Sequence, residues 1–129
     1  MRNLPEDVAD VLDFLLDGDG PARRALRDQL PHLSVRERCR CGCGTAYFEL
    51  DTDAVSPASV PGRSTVIAAE AQIVTDTEEW LGEVLLFVQG GYLSWLEICS
   101  YGLTEMTLAK ARPLLRPYPE SAPGTDPET

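Results

Sequence analysis

Two strongly apolar segments separated by a pair of glycines constrain this chain more than any other feature. Residues 80–88 and 92–100 flank Gln89-Gly90-Gly91. Adjacent glycines supply the positive φ angles that a tight hairpin turn requires. Both segments carry apolar side chains at successive positions, so both faces of each strand are apolar, as is typical of central strands. We therefore predict a β-hairpin at the centre of an antiparallel sheet.

The two apolar faces of this hairpin must be buried against different parts of the structure. The row expected to face the helices consists of Leu86, Val88, Leu96 and Ile98. The row expected on the opposite face consists of Leu85, Phe87, Leu93 and Trp95. An exposed apolar patch of this kind usually marks an interaction site. We interpret the second row as a candidate interface, covered by a homodimer partner or another protein, or within the chain by residues 103–118.

The residues before the hairpin change from a helical to an alternating pattern. Apolar positions recur at helical spacing over residues 4–16 and 21–30, and a short connection between two helices favours an antiparallel pair. Arginines of the second helix are expected near the acidic first helix. Alternation then predicts strands at 33–39, 45–51 and 64–74.

Taken together, these patterns predict an α+β domain over residues 1–118. In it, an N-terminal antiparallel helix pair packs on an antiparallel sheet of about four or five strands. Residues 103–111 fit either a short helix or an edge strand. Residues 119–129 are rich in proline and acidic residues, which predicts a disordered tail.

The four cysteines allow two interpretations. Cys39, Cys41 and Cys43 would share one face of an extended segment, and Cys99 or His32 could complete a tetrahedral zinc site. Their C-x-C-x-C spacing is tighter than the usual zinc pattern. The interpretation we favour is a glycine-containing turn in which the cysteines are small, buried side chains without a cofactor.

The charge balance narrows the classes of partner. Acidic residues outnumber basic ones by 21 to 11, so the net charge is −10. An acidic surface is unsuited to nucleic acid and to anionic membranes. The sequence also lacks an apolar run of about 18–20 residues and a secretory pattern at its start. We expect a cytoplasmic protein that binds neither nucleic acid nor membrane.

Two motifs in the sequence resemble those of a protein family. The segment Cys39-Arg-Cys-Gly-Cys-Gly-Thr follows the predicted helices, and Gly91-Tyr-Leu-Ser-Trp-Leu-Glu lies in the hairpin. Together they resemble a family of small, uncharacterised bacterial proteins with a C-x-C-G-C-like turn and a G-Y-L-S-x-L-E strand. This resemblance implies an α+β fold and transfers no catalytic residue.

Three hypotheses for function follow. The first is a non-enzymatic, acidic protein-binding module, such as an immunity or accessory factor that covers a basic partner. The alternative is a small zinc-stabilised protein that uses the Cys39, Cys41 and Cys43 cluster. The third is a thiol enzyme in which His32 activates Cys39 or Cys41.

Overall fold

A computed structural model describes residues 4–40, 43–59, 65–101 and 106–118. Cys41 of the cysteine cluster, residues 103–105 of the ambiguous segment, and the predicted tail 119–129 lie outside these ranges.

The chain folds as a mixture of helices and one antiparallel sheet, which confirms the α+β class. The helices are α1 (Glu6–Leu15), α2 (Pro21–Gln29) and the short α3 (Leu108–Ala111). The strands are β1 (Leu33–Arg38), β2 (Ala46–Leu50), β3 (Thr65–Val74), β4 (Trp80–Gln89), β5 (Tyr92–Ser100) and β6 (Leu115–Pro117). Single 3₁₀ turns cover Leu30–His32 and Arg112–Leu114.

The six strands lie in the order β1-β2-β5-β4-β3-β6, so the sheet is larger than the predicted four or five strands. The extra strand is β6. The sequence gives no strand signal there, because the three residues between Pro113 and Pro117 are too few to show alternation. The strand forms because Leu115 pairs with Ile73 and Arg116 pairs with Gln72 on the edge of β3. Proline is tolerated there because an edge strand needs fewer backbone donors.

The helices cover different parts of the sheet. Helix α1 contacts β3 and α3, whereas α2 contacts β5. Two arginines of α2 bond to the last carbonyls of α1: Arg27 Nη1 donates to Leu16 O over 3.0 Å, and Arg23 Nη1 donates to Leu15 O. Cationic groups at this end offset the negative pole of the helix dipole. These two bonds fix the connection between α1 and α2.

One hydrophobic core lies between the helices and one face of the sheet. As predicted, this core contains Leu86, Val88, Leu96 and Ile98, each at most 8% exposed. The C-terminal segment joins the same core through Met106, Leu108, Ala111 and Leu115. These residues therefore pack on the helix side of the sheet and do not cover its opposite face.

The predicted position of Leu93 is wrong. Leu93 is only 3% exposed and belongs to the core, not to the opposite face with Leu85, Phe87 and Trp95. The cause is a β-bulge: Trp95 pairs with Phe87, but Leu93 pairs with Val88, so the register shifts at Ser94. An extra residue in one strand reverses the side-chain alternation beyond it.

The hairpin turn is held by a buried polar side chain of α2. Gly90 and Gly91 have φ angles of 61° and 89°. The Gln29 side chain is fully buried; its Nε2 donates to Gly91 O over 2.9 Å, and its Oε1 accepts from Leu93 N over 3.0 Å. Ala58 N also donates to Gly91 O over 2.8 Å. Gln29 thus fixes the position of the hairpin relative to α2.

Within the described ranges, the helices are too short and too polar to cross a lipid bilayer.

Candidate interface on the outer sheet face

The sheet face opposite the core, called the outer face below, carries the alternate residues of each strand. On β4 these are Glu83, Leu85 and Phe87, which alternate with the buried Val84 and Leu86. All three helices contribute their buried residues to the core on the other side. Among the described residues, therefore, no helix covers the outer face.

The centre of the outer face is an aromatic pair. Phe87 and Trp95 are cross-strand neighbours whose rings stack with centroids 4.3 Å apart and an interplanar angle of 13°. Tyr47 pairs with Trp95 on one side, and Ile67, which is 49% exposed, pairs with Phe87 on the other. Both stacked rings are half-buried, so part of their surface meets solvent.

Glu97 lies beside this pair and is held in place by two donors. The indole Nε1 of Trp95 donates to Glu97 Oε1 over 3.2 Å, and the Cys99 thiol donates to Glu97 Oε2 over 3.4 Å. Glu97 is also the cross-strand partner of Leu85, and Leu85 pairs with Glu70 on its other side. Two carboxylates therefore flank Leu85 from the adjacent strands.

Glu83 is held in a similar way by two tyrosines. The hydroxyls of Tyr101 and Tyr118 each donate to a different oxygen of Glu83 over 2.6 Å. The hydrogen bond to Glu83 raises the pKa of Tyr101 to about 12. Burial and the bond to Glu83 also raise the pKa of Tyr118. Both phenols stay protonated at neutral pH, so both remain donors to this carboxylate.

The outer face is strongly acidic. The glutamates at outer positions of the strands are Glu37, Glu49, Glu70, Glu83 and Glu97. Arg116, which lies beside Gln72 on β6, forms an ion pair with Glu78 over 2.9 Å. The arrangement is an aromatic centre with fixed carboxylates around it, which suits recognition of a cationic surface better than covalent chemistry.

The candidate interface residues are thus divided by the structure. Leu85, Phe87 and Trp95 lie together on the outer face, whereas Leu93 lies in the core. Glu83 and Glu97 are not among the predicted site residues, although a charged residue inside an otherwise apolar strand is a visible signal. Tyr101 and Tyr118 are not among them either, because their contacts with Glu83 span 18 and 35 residues of sequence.

The cysteines occupy separate positions in the fold. Cys39 and Cys43 are half-buried near the connection between β1 and β2, where Leu108 N donates to Cys43 O over 3.1 Å. Cys99 lies on the outer face beside Glu97. Among the described His, Cys, Asp and Glu side chains, no group of three is placed to hold a metal ion. Cys41 is outside the described ranges, so zinc binding by this cluster stays the alternative to the structural role that the sequence favours.

The thiol hypothesis pairs His32 with Cys39 or Cys41, and Cys41 lies outside the described residues. His32 and Cys39 lie at opposite ends of β1, and seven extended steps separate them by roughly 20 Å. Burial, together with the bond to and charge of Glu97, raises the pKa of the Cys99 thiol to about 11. Cys99 is therefore protonated at neutral pH, whereas thiolate is the nucleophilic form.

A cleft lies between the α1–α2 connection and β3. It has a volume of about 640 Å³ and is lined by residues that include Asp13, Phe14, Arg23 and Arg112. Its two cations already contact the fold: Arg23 donates to Leu15 O, and the Arg112 guanidinium lies 5.2 Å from the centre of the Phe14 ring. Both arginines of the lining are thus engaged within the fold.

No family model, curated protein or solved structure was found to match this chain.

Proposed function

We propose that this chain is a non-enzymatic protein-binding module that uses its outer sheet face to bind a basic protein. The observation that carries the proposal is the stacked Phe87–Trp95 pair, which is half-buried on a face that no described helix covers. Aromatic side chains are enriched at the centres of protein interfaces. A module of this kind acts by covering its partner, as an immunity or accessory factor does.

The charges of the outer face favour a basic partner over a second copy of the chain. In a two-fold dimer through this face, Glu70, Glu83 and Glu97 would face the same acidic surface of the second copy. Like charges placed opposite one another cost free energy, whereas a basic surface gains attraction and a faster association rate. The net charge of −10 acts in the same direction over a longer distance.

The test is affinity capture from native lysate with the full chain and three variants. We expect the wild type to retain a protein of basic isoelectric point, and Trp95→Ala and Glu97→Gln to lose it. Asp28→Asn is the matched control, since it also removes one negative charge but lies on α2, away from the outer face. A captured protein that is acidic, or that all variants retain equally, contradicts the proposal. A dimer of the purified chain that Trp95→Ala dissociates contradicts it as well.

A further inference from the structure

The carboxylate of Glu97 and the aromatic pair form one continuous surface. Because Trp95 Nε1 donates to Glu97 Oε1, this carboxylate lies beside the edge of the indole ring. Each carboxylate oxygen can accept two hydrogen bonds. The described donors use one position on Oε1 and one on Oε2. Glu97 therefore keeps acceptor capacity next to the exposed part of the Phe87–Trp95 stack.

We infer that this surface receives an arginine side chain of the partner, with its guanidinium stacked on the Phe87–Trp95 pair and hydrogen-bonded to Glu97. This inference rests on the proposed function. A guanidinium is planar and weakly hydrated, so it can stack on an aromatic ring while its edge donates to a carboxylate. A lysine ammonium is a compact, strongly hydrated charge and cannot do both in one plane.

The surrounding charges support the same occupant. Glu70 and Glu97 lie on the two strands that flank Leu85, and Glu83 lies two residues from Leu85 on the same strand. The nearby Arg116 is already paired with Glu78. A cation over Leu85 and the aromatic pair would therefore meet carboxylates on several sides. The occupant is an arginine-bearing segment of a basic protein, since a second copy would bring its own glutamates to the same place.

The inference can be tested with tetra-arginine and tetra-lysine, titrated into the isotopically labelled full chain at low ionic strength and followed by NMR. We expect tetra-arginine to bind about five-fold more tightly than tetra-lysine, because only a guanidinium can stack on the aromatic pair and donate to Glu97 at the same time. The Trp95 indole N–H signal should move most, assigned by its loss in Trp95→Leu. The arginine δ-methylene protons should shift upfield, because ring currents shield groups that lie above an aromatic face.

Matched variants locate the effect. Glu97→Gln and Trp95→Leu should each remove the preference for arginine, whereas Asp28→Asn should change either affinity by less than about two-fold. A dispersed amide spectrum establishes that a variant is folded. If Trp95→Leu is not folded, Glu97→Gln tests the preference for arginine. Equal affinity for the two peptides, absence of binding, or a preference that persists in Glu97→Gln overturns the inference.

The proposed function and this inference can fail separately. If a basic protein is captured through the outer face but the peptides show no preference, only the arginine assignment is wrong. If the peptides bind as expected but capture of the protein does not depend on Trp95 and Glu97, the proposed function is wrong instead.

Discussion

A single buried amide connects three parts of this fold. Gln29 Nε2 donates to Ser56 O over 3.1 Å and to Gly91 O over 2.9 Å, and its Oε1 accepts from Leu93 N. The side chain is completely buried. Removing a hydrogen-bond partner from a buried backbone group costs more than the bond itself contributes, because that group stays away from water.

Gln29→Leu is therefore expected to lower the free energy of unfolding by about 2–4 kcal/mol, mainly because the Leu93 amide loses its acceptor. Urea denaturation of the two proteins measures the difference. Asp28→Asn, at the exposed neighbouring position, should differ from the wild type by less than about 0.5 kcal/mol. A Gln29→Leu value equal to that of Asp28→Asn would show that Gln29 does not hold the turn.

Cys99 gives a second prediction, which depends on pH. Its folded-state pKa of about 11 lies above the ordinary value of 9.0. The thiol's contribution to stability is thus complete below pH 9.0 and is lost as the pH rises to about 11. In a pH titration, the thiolate absorbance of the wild type minus that of Cys99→Ser should reach its midpoint at a pH of about 11. Glu97→Gln should lower this midpoint, and an unchanged midpoint would mean that Glu97 does not act on the thiol.

At the scale of the elements, the hairpin turn contains two glycines with different constraints. A Cβ on Gly91 would lie 2.5 Å from Ala58 O and 2.7 Å from Pro57 Cβ. A Cβ on Gly90 would meet nothing within 4 Å. Both have positive φ angles, but asparagine tolerates the left-handed region that Gly90 occupies.

We expect Gly90→Asn to change the free energy of unfolding by less than about 1 kcal/mol. Gly91→Asn should lower it by about 3 kcal/mol or more, since the side chain at position 91 adds a steric clash to backbone strain. Thermal unfolding of the two variants under the same conditions measures this difference. Similar melting temperatures for both variants would contradict the close packing of residues 57–58 on the turn.

The hairpin could be predicted because its signals are local: two apolar segments and adjacent glycines fix both strands and the turn. The bulge at Ser94 could not, because the Leu93 amide bonds to Gln29, 64 residues away. Strand β6 likewise depends on the edge of β3 rather than on its own three residues. For the candidate site, Phe87 and Trp95 follow from alternation, but the Tyr118 contact with Glu83 depends on where β6 places the chain.

At the scale of the whole molecule, the C-terminal segment completes the core on the helix side. Met106, Leu108, Ala111 and Leu115 are each at most 7% exposed, and Leu115 belongs to the strand that covers part of β3. Burial of a leucine or methionine side chain contributes about 1.5–3 kcal/mol. Together, the three larger side chains contribute an amount comparable with the total stability of a typical domain, about 5–15 kcal/mol.

A chain that ends after Tyr101 is therefore expected to lose its cooperative fold and aggregate, because the core loses these side chains and exposes those they cover. A chain that ends after Tyr118 should keep the wild-type stability, as the composition of residues 119–129 predicts a disordered tail. Circular dichroism during heating and light scattering distinguish the two chains. A folded, monomeric chain ending at Tyr101 would show that the core is complete without α3 and β6. A large loss of stability in the chain ending at Tyr118 would instead assign a structural role to the tail.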